Sequence, residues 1–411
     1  MKPNQEKKNI VILGGGYAGV RAALDLNNYL HDSSEYEIIL IDRQDYQTYY
    51  SGLYEAAATE HALVDAKKVK RTVAIPFTEI FSKTRVKVFK AFIDRIDIAE
   101  GKVITDSRIM PFDYLVVAMG SVADFYGIPN LDKYGFTLKS LEDAIMIRNR
   151  VEELVVKKDS GQIIIGGGGF AGAEFAGELH NLLKHECQQH QKDPNNFKIL
   201  VVEGGSNFLP GLSDKVSAII SHRTAQMGIE AKFSTLITEA GSGYVILNLK
   251  DRMECDLLIW TGGVKSCRLP VLINLERDKK DRTLVEPVLN LKNYPQVFVI
   301  GDNACVTDPK TKKATAQTAQ EAINQAKYTA KNIYRSITQK PLLPYHAGPV
   351  RFIIPVTGKY AVFYTPNLII AGLAGWVVRK LADLRYFSSI LPIFTALKFW
   401  LFENKIFMKN D

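Results

Sequence analysis

Short, unbroken apolar runs recur along the chain: Ile10–Leu13, Ile38–Ile41, Leu115–Met119, Ile163–Ile165, Ile199–Val202, Leu257–Trp260 and Val297–Ile300. Several are rich in β-branched residues, and several end at a glycine or an acidic residue. Continuous rather than alternating hydrophobicity predicts strands covered on both faces, hence parallel sheets flanked by helices and an α/β fold. The pattern predicts one β-α-β unit over residues 9–42 and a second over 162–203. It also predicts a buried strand at 112–120, a strand ending at Asp302 and a long helix from about Thr315 to Ile337. The strand before Asp302 would complete the first unit, so the first domain is expected to be discontinuous, over 1–115 and 285–345. The second, over 116–284, is then an insertion, and residues 346–411 form a C-terminal portion.

That C-terminal portion differs in character. Residues 360–378 carry no charge, but Pro366, Gly372 and Gly375 interrupt them, which argues against a spanning helix. A hairpin over Lys359–Tyr364 and Leu368–Ala371, turned at Thr365–Asn367, fits better. From Trp376 to Phe407, the basic residues Arg379, Lys380, Arg385, Lys398 and Lys405 stand among Trp376, Tyr386, Phe387, Phe394, Phe399 and Trp400. Such an amphipathic, basic, aromatic segment suits the surface of an anionic membrane; the plainer reading is a helix packed on its own domain or on a partner subunit.

Composition narrows the partners. With 46% hydrophobic and 23% charged residues the chain is globular, and its formal charge of +8 is diffuse. No compact basic and aromatic stretch argues for nucleic acid, and Lys67–Arg71 reads as a solvated face. The four cysteines, Cys187, Cys255, Cys267 and Cys305, show neither disulfide-framework nor zinc spacing, so no metal is expected. The polar start leads directly into the first strand with no room for a signal peptide, which favours a cytosolic location for the catalytic domains.

Two glycine-rich turns carry the candidate chemistry. Gly14, Gly16 and Gly19 follow the first strand, and Gly167, Gly169 and Gly172 follow its counterpart, each in a G-x-G-x-x-G arrangement opening a helix. The first glycine makes the tight turn, the second lets the backbone approach a pyrophosphate, and the third lets helix and strand pack closely. A further strand after each copy ends in an acid, Asp42 and Glu203, placed to accept hydrogen bonds from ribose hydroxyls. Two such sites on one chain suggest two dinucleotides exchanging electrons.

These motifs, with Trp260–Gly263, Gly301-Asp302, Thr315–Ala319 and the basic aromatic tail, resemble the two-dinucleotide-binding flavoproteins of glutathione reductase-like fold. Within them the chain looks most like the type II, non-proton-pumping NADH dehydrogenases, over nearly its whole length. The resemblance implies FAD on the first fingerprint with Asp42, Gly120, Gly301 and Asp302, and NADH on the second with Glu203, Gly262 and Gly263. It implies that Glu174 positions the nicotinamide, on the first turn of the second helix. It places the helix opening near Ala316 and Gln317 at the flavin, with Gln317 on a quinone head group. Asp302 and Glu174 each have a plainer reading as helix-terminal acids. The implied enzyme is a peripheral membrane protein on the cytoplasmic face, homodimeric, passing two electrons from NADH to a membrane quinone.

The chain departs from the family pattern A-Q-x-A-x-Q at Glu321, which replaces the second glutamine. Glu321 could accept or deliver a proton at a quinone, or mark a different acceptor such as oxygen or a redox protein. A sulfide:quinone oxidoreductase would need redox cysteines beside the flavin, one of them late in the chain, and none follows Cys305. A disulfide reductase would need paired cysteines after the first β-α-β unit.

Overall fold

The structure is a computed structural model and describes residues 7–60, 64–268, 270–308 and 314–410. Strand β1 (Lys8–Leu13) runs into helix α1 (Tyr17–Tyr29) and returns as β2 (Tyr36–Asp42), parallel to β1 with Ile12 opposite Leu40. Short helices α2 (Leu53–Ala57) and α3 (Ala66–Val73) lead to β3 (Lys87–Lys90) beside β2, while β4 (Tyr114–Val117) pairs with the other edge of β1. The second β-α-β region comprises β5 (Gly135–Thr137), α4 (Leu141–Lys157), β6 (Gly161–Gly166), α5 (Phe170–Gln189), β7 (Phe197–Val202), α6 (Asp214–Gln226), β8 (Glu230–Lys232) and β9 (Leu257–Trp260). Its sheet has the order β5-β9-β6-β7-β8, with all neighbours parallel.

Strands β10 (Asn290–Leu291) and β11 (Tyr294–Val299) return to the first sheet, whose order is β10-β11-β4-β1-β2-β3. The first sheet therefore draws strands from both sides of the second. The edge expected between residues 115 and 116 falls inside β4, all of which pairs in the first sheet. The apolar runs read from the sequence are the buried centres of these strands: Ile10–Leu13, Leu40, Leu115, Val116 and Ile163–Ile165 are sealed from solvent.

Helix α7 (Ala319–Ile337) packs along α1. It starts four residues later than expected from apolar spacing. The Thr318 hydroxyl accepts the Glu321 amide at 3.3 Å, so Thr318 is the N-cap and Thr318–Glu321 has the spacing of a capping box. Ala316 and Gln317 thus precede the helix.

Beyond it, β12 (Phe352–Pro355), β13 (Ala361–Thr365) and β14 (Leu368–Gly372) form an antiparallel sheet containing the expected hairpin. Helices α8 (Leu373–Ile390) and α9 (Ile393–Phe407) close the chain. No described helix is long and apolar enough to cross a membrane. The structure corrects the reading of the tail in one respect. Arg379 and Lys380 do not face outward; both are buried against the first domain, where carboxylates compensate them.

Candidate functional site

The two glycine turns are built alike to within a few tenths of an ångström. The amide of Gly14 donates to Ile41 O at 2.8 Å, and that of Gly167 to Val202 O at 2.8 Å. Both glycines have positive φ, +98° and +107°, and a Cβ on either would collide with the neighbouring strand's loop backbone. One turn later a Cβ on Gly19 would lie 1.8 Å from Gly14 O, and one on Gly172 would lie 1.9 Å from Gly167 O. Only glycine permits that closeness of helix and strand. Gly16 and Gly169 are different: a Cβ there would meet no protein atom within 4 Å. They cap α1 and α5 without any side-chain hydrogen bond, so the first-turn amides face a cradle shaped for a ligand.

The acids after each turn play matching parts. Asp42 accepts the amides of Gly15 at 2.6 Å and Gln44 at 2.8 Å; Glu203 accepts those of Gly168 and Gly205, both at 2.6 Å. Each is only partly buried and stands at the mouth of its turn.

Beside the first turn, Asp302 accepts the Ser121 hydroxyl at 2.6 Å, and the Lys139 ammonium donates to Ser121 Oγ at 3.0 Å. Burial lowers the Lys139 pKa, against the pull of Asp302 and Asp143. Gly120 and Gly301 frame the same place. Asn303, fully buried, accepts the Gly120 amide and donates to its carbonyl. Gln325 accepts the Gly301 amide at 2.7 Å. Asn303 was not singled out from the sequence, though its place directly after Gly301-Asp302 was the available signal. Gln317 donates from Nε2 to the Asp302 carbonyl at 3.1 Å, so it does reach this cluster, from a tight turn before α7, closed by the Thr318 amide on the Ala316 carbonyl, rather than from a helix. Ala316 is exposed. Glu321 points elsewhere, accepting the buried Tyr345 hydroxyl at 2.6 Å. Gly262 and Gly263 follow β9 against the second turn; a Cβ on Gly167 would meet Gly262 Cα at 2.6 Å.

Tyrosines line the space between the first turn and α8. The Tyr17 hydroxyl lies 3.2 Å from Ser51 Oγ, and its ring packs edge-on to Tyr386 with centroids 5.1 Å apart. Burial raises the Tyr17 phenol to about 12, which keeps it neutral.

Glu174 is the fifth residue of α5, just past the first turn where it was expected. Burial pushes its carboxyl up to about 8, a rise the Arg379 guanidinium opposes and Glu55 and Asp383 reinforce. A glutamate with its ordinary value of 4.5 so raised stabilises the fold fully below that value and loses its contribution as pH rises through about 8. The thermal midpoint is therefore expected to fall across that window, and Glu174→Gln to flatten the fall. Superimposable pH profiles of the two proteins would show that Glu174 titrates normally.

The partners of Glu174 belong to a buried ionic cluster that sequence reasoning missed. Arg379 Nε donates to Asp383 at 3.0 and 2.9 Å, and its Nη2 donates to the Ser51 carbonyl at 2.8 Å. Lys380 Nζ lies 3.3 Å from Glu55 Oε1, and the Tyr49 hydroxyl donates to Asp383. Elsewhere, Glu152, Glu186 and His190 gather within 4.8 Å, with the Arg148 guanidinium close enough to supply their counter-charge.

The family model for pyridine nucleotide-disulphide oxidoreductases matches residues 8–326, both glycine turns included. The chain belongs to that family. Within this oxidoreductase family it is similar to the type II NADH:quinone oxidoreductase of Staphylococcus aureus, 28% identical over 411 residues, covering 96% of this chain and 98% of the relative. The enzyme of the same name from Staphylococcus saprophyticus is 28% identical over 348 residues, 82% of this chain and 84% of its own. The fold is shared with NDH2 of Plasmodium falciparum, solved in complex with NADH: TM-score 0.82 at 16% identity, covering 98% and 99% of the two chains. It is also shared with the sulfide:quinone oxidoreductase of Aquifex aeolicus, TM-score 0.76 at 17% identity, covering 93% and 90%.

Proposed function

We propose that this chain holds FAD on the first glycine turn, accepts NADH on the second, and delivers two electrons to a membrane quinone without pumping protons. The observation that carries the reading is the pair of matching cradles, in which only Gly16 and Gly169 leave Cβ space open beside uncapped helix amides. When bound, the flavin supplies the hydride acceptance and onward electron transfer that no side chain here provides.

The residues would bind and orient. Asp42 would meet the FAD ribose, and Asp302 with Ser121 and Gly120 the chain leading to the ring. Gln317, tethered to the Asp302 carbonyl, would present its amide to the quinone. Glu174 would position the nicotinamide; at a pKa of about 8 it is mostly neutral at pH 7 and adds little charge there. Glu203 would favour NADH, because a carboxylate repels a 2′-phosphate. Glu203→Arg should move the NADPH/NADH ratio of kcat/KM by about tenfold or more, ~1.4 kcal/mol, and an unchanged ratio would remove Glu203 from the ribose site. Cysteine chemistry of the sulfide-oxidising kind has little support, since burial raises every thiol, Cys187 to about 11 and Cys255 to about 12.

The C-terminal helices would supply the membrane contact. Leu373, Val377 and Leu381 line one face of α8, and Phe394, Leu397 and Leu401 one face of α9, all exposed, Phe394 by 83%. Arg385, Lys398 and Lys405 are exposed as well, suiting anionic lipid on the cytoplasmic face. Phe394→Asp with Leu401→Asp should abolish sedimentation with anionic vesicles while leaving the fold intact. Persistent sedimentation would move the anchor elsewhere.

The function is tested by anaerobic turnover of NADH with a panel of quinones, repeated for Gln317→Ala and Glu321→Gln. Quinone-dependent turnover lost with Gln317→Ala supports the reading. Bleaching by NADH with no quinone reduction would favour oxygen or a redox protein as acceptor, the alternative that the tethering of Glu321 to Tyr345 keeps in view.

A further inference from the structure

Glu403 lies in the C-terminal half of α9 with no exposed surface, and neither of its carboxyl oxygens has a hydrogen-bond partner among the described residues. The charged groups around it come from two other elements: Asp383, Lys380 and Arg379 from α8, and Glu55 from α2. The Tyr49 phenol is near enough to feel it. From α3, the Arg71 guanidinium stacks on the neighbouring Phe402 ring at 4.6 Å. On its own helix, Lys398 and Lys405 are exposed.

The two buried cations are already committed. Asp383 takes Arg379 through two contacts of 3.0 and 2.9 Å together with the Tyr49 hydroxyl. Glu55 takes Lys380 at 3.3 Å and Arg379 at 3.7 Å. Of Glu55, Asp383 and Glu403, Glu403 is the one with neither ion pair nor hydrogen bond among the described residues. Leaving a carboxylate buried and unpaired costs several kcal/mol, whereas holding one proton costs about 1.4 kcal/mol per pH unit above the ordinary pKa. The proton is the cheaper solution.

We propose that Glu403 is stored in the fold as a neutral carboxylic acid, making the α8–α9 pair a proton-coupled latch on the first domain: closing takes up a proton, and rising pH favours opening. Burial, with Asp383 beside it, raises this carboxyl well above its ordinary value of 4.5. The latch is therefore fully secured below that value and weakens as pH climbs to the folded value, then levels. Its opening would reach the site, because α8 holds Tyr49 through Asp383 and the Ser51 carbonyl through Arg379. Tyr49 and Ser51 flank the tyrosine-lined space beside the first glycine turn.

The test is hydrogen exchange of the α9 amides in the full-length protein across a pH series, corrected for intrinsic exchange, for wild type and Glu403→Gln. Glutamine keeps the size and the neutrality. Wild-type protection is expected to fall more steeply than that of Glu403→Gln, by up to about tenfold per pH unit. Parallel slopes would overturn the proposal. Should Glu403→Gln not fold, Glu403→Met, unbranched and apolar, takes its place and should show the same flattened slope. Failure of both to fold would also overturn it, since a neutral acid tolerates a neutral substitute.

Discussion

Replacing Arg379 with methionine is expected to lower the unfolding free energy by about 3–5 kcal/mol, the usual cost of breaking one side of a buried ion pair. Arg379 is buried, makes two contacts to Asp383, approaches Glu55 at 3.7 Å and donates to the Ser51 carbonyl. Methionine retains much of the stem's packing but leaves Asp383 and Glu55 with Lys380 alone, so most of the loss is electrostatic. A double-mutant cycle isolates it: adding Asp383→Leu to Arg379→Met should recover part of the stability, because the stranded charge goes with it. Chemical denaturation reads the effect, and a loss below about 1 kcal/mol would mean the pair behaves as a solvated surface bridge. A second readout separates this from simple packing damage. Arg379 holds the Glu174 carboxyl down, so its removal should move the Glu174 titration further above 8.

That cluster also marks where sequence reasoning stops. The two glycine turns were legible because their constraint is local and steric: the atoms a Cβ would strike lie within five residues or on the adjacent strand. The acids ending β2 and β7 were legible for the same reason, since parallel register puts each next to its turn. The tail was not. Lys380 and Glu55 are 325 residues apart, and no periodicity along α8 says which of its basic side chains meets a carboxylate from another domain. Reading Arg379 and Lys380 as membrane-facing assigned them to solvent by default. The i,i+4 pair Arg379–Asp383 was the one local hint of an internal role. The start of α7 was a different kind of miss: Thr318 and Glu321 carried the capping signal, but apolar spacing alone extended the helix back to Thr315. Gln317 consequently reaches Asp302 from a turn that precedes the helix, and Glu321 spends its carboxylate on Tyr345.

Gly169→Ala and Gly16→Ala should separate the two proposed cofactor sites with little cost in stability. Neither glycine needs a left-handed backbone; their φ values are −70° and −77°, which alanine adopts freely. An added Cβ meets no protein atom within 4 Å at either position, so unfolding free energies should stay within about 0.5 kcal/mol of wild type. The methyl would instead occupy the space where a pyrophosphate must approach the first-turn amides. Gly169→Ala is expected to remain yellow and to lose NADH-dependent bleaching, with the Kd for NADH raised about 100-fold, ~2.7 kcal/mol. Gly16→Ala is expected to purify without bound flavin. Gly172→Ala provides the contrast: its Cβ would lie 1.9 Å from Gly167 O and 2.8 Å from Thr261 Oγ1, so it should damage the second sheet itself and lower the thermal midpoint. If Gly169→Ala bleached with NADH as wild type does, the second cradle would not be the NADH site. If Gly16→Ala kept its flavin while Gly169→Ala lost it, the two cradles would have to exchange roles.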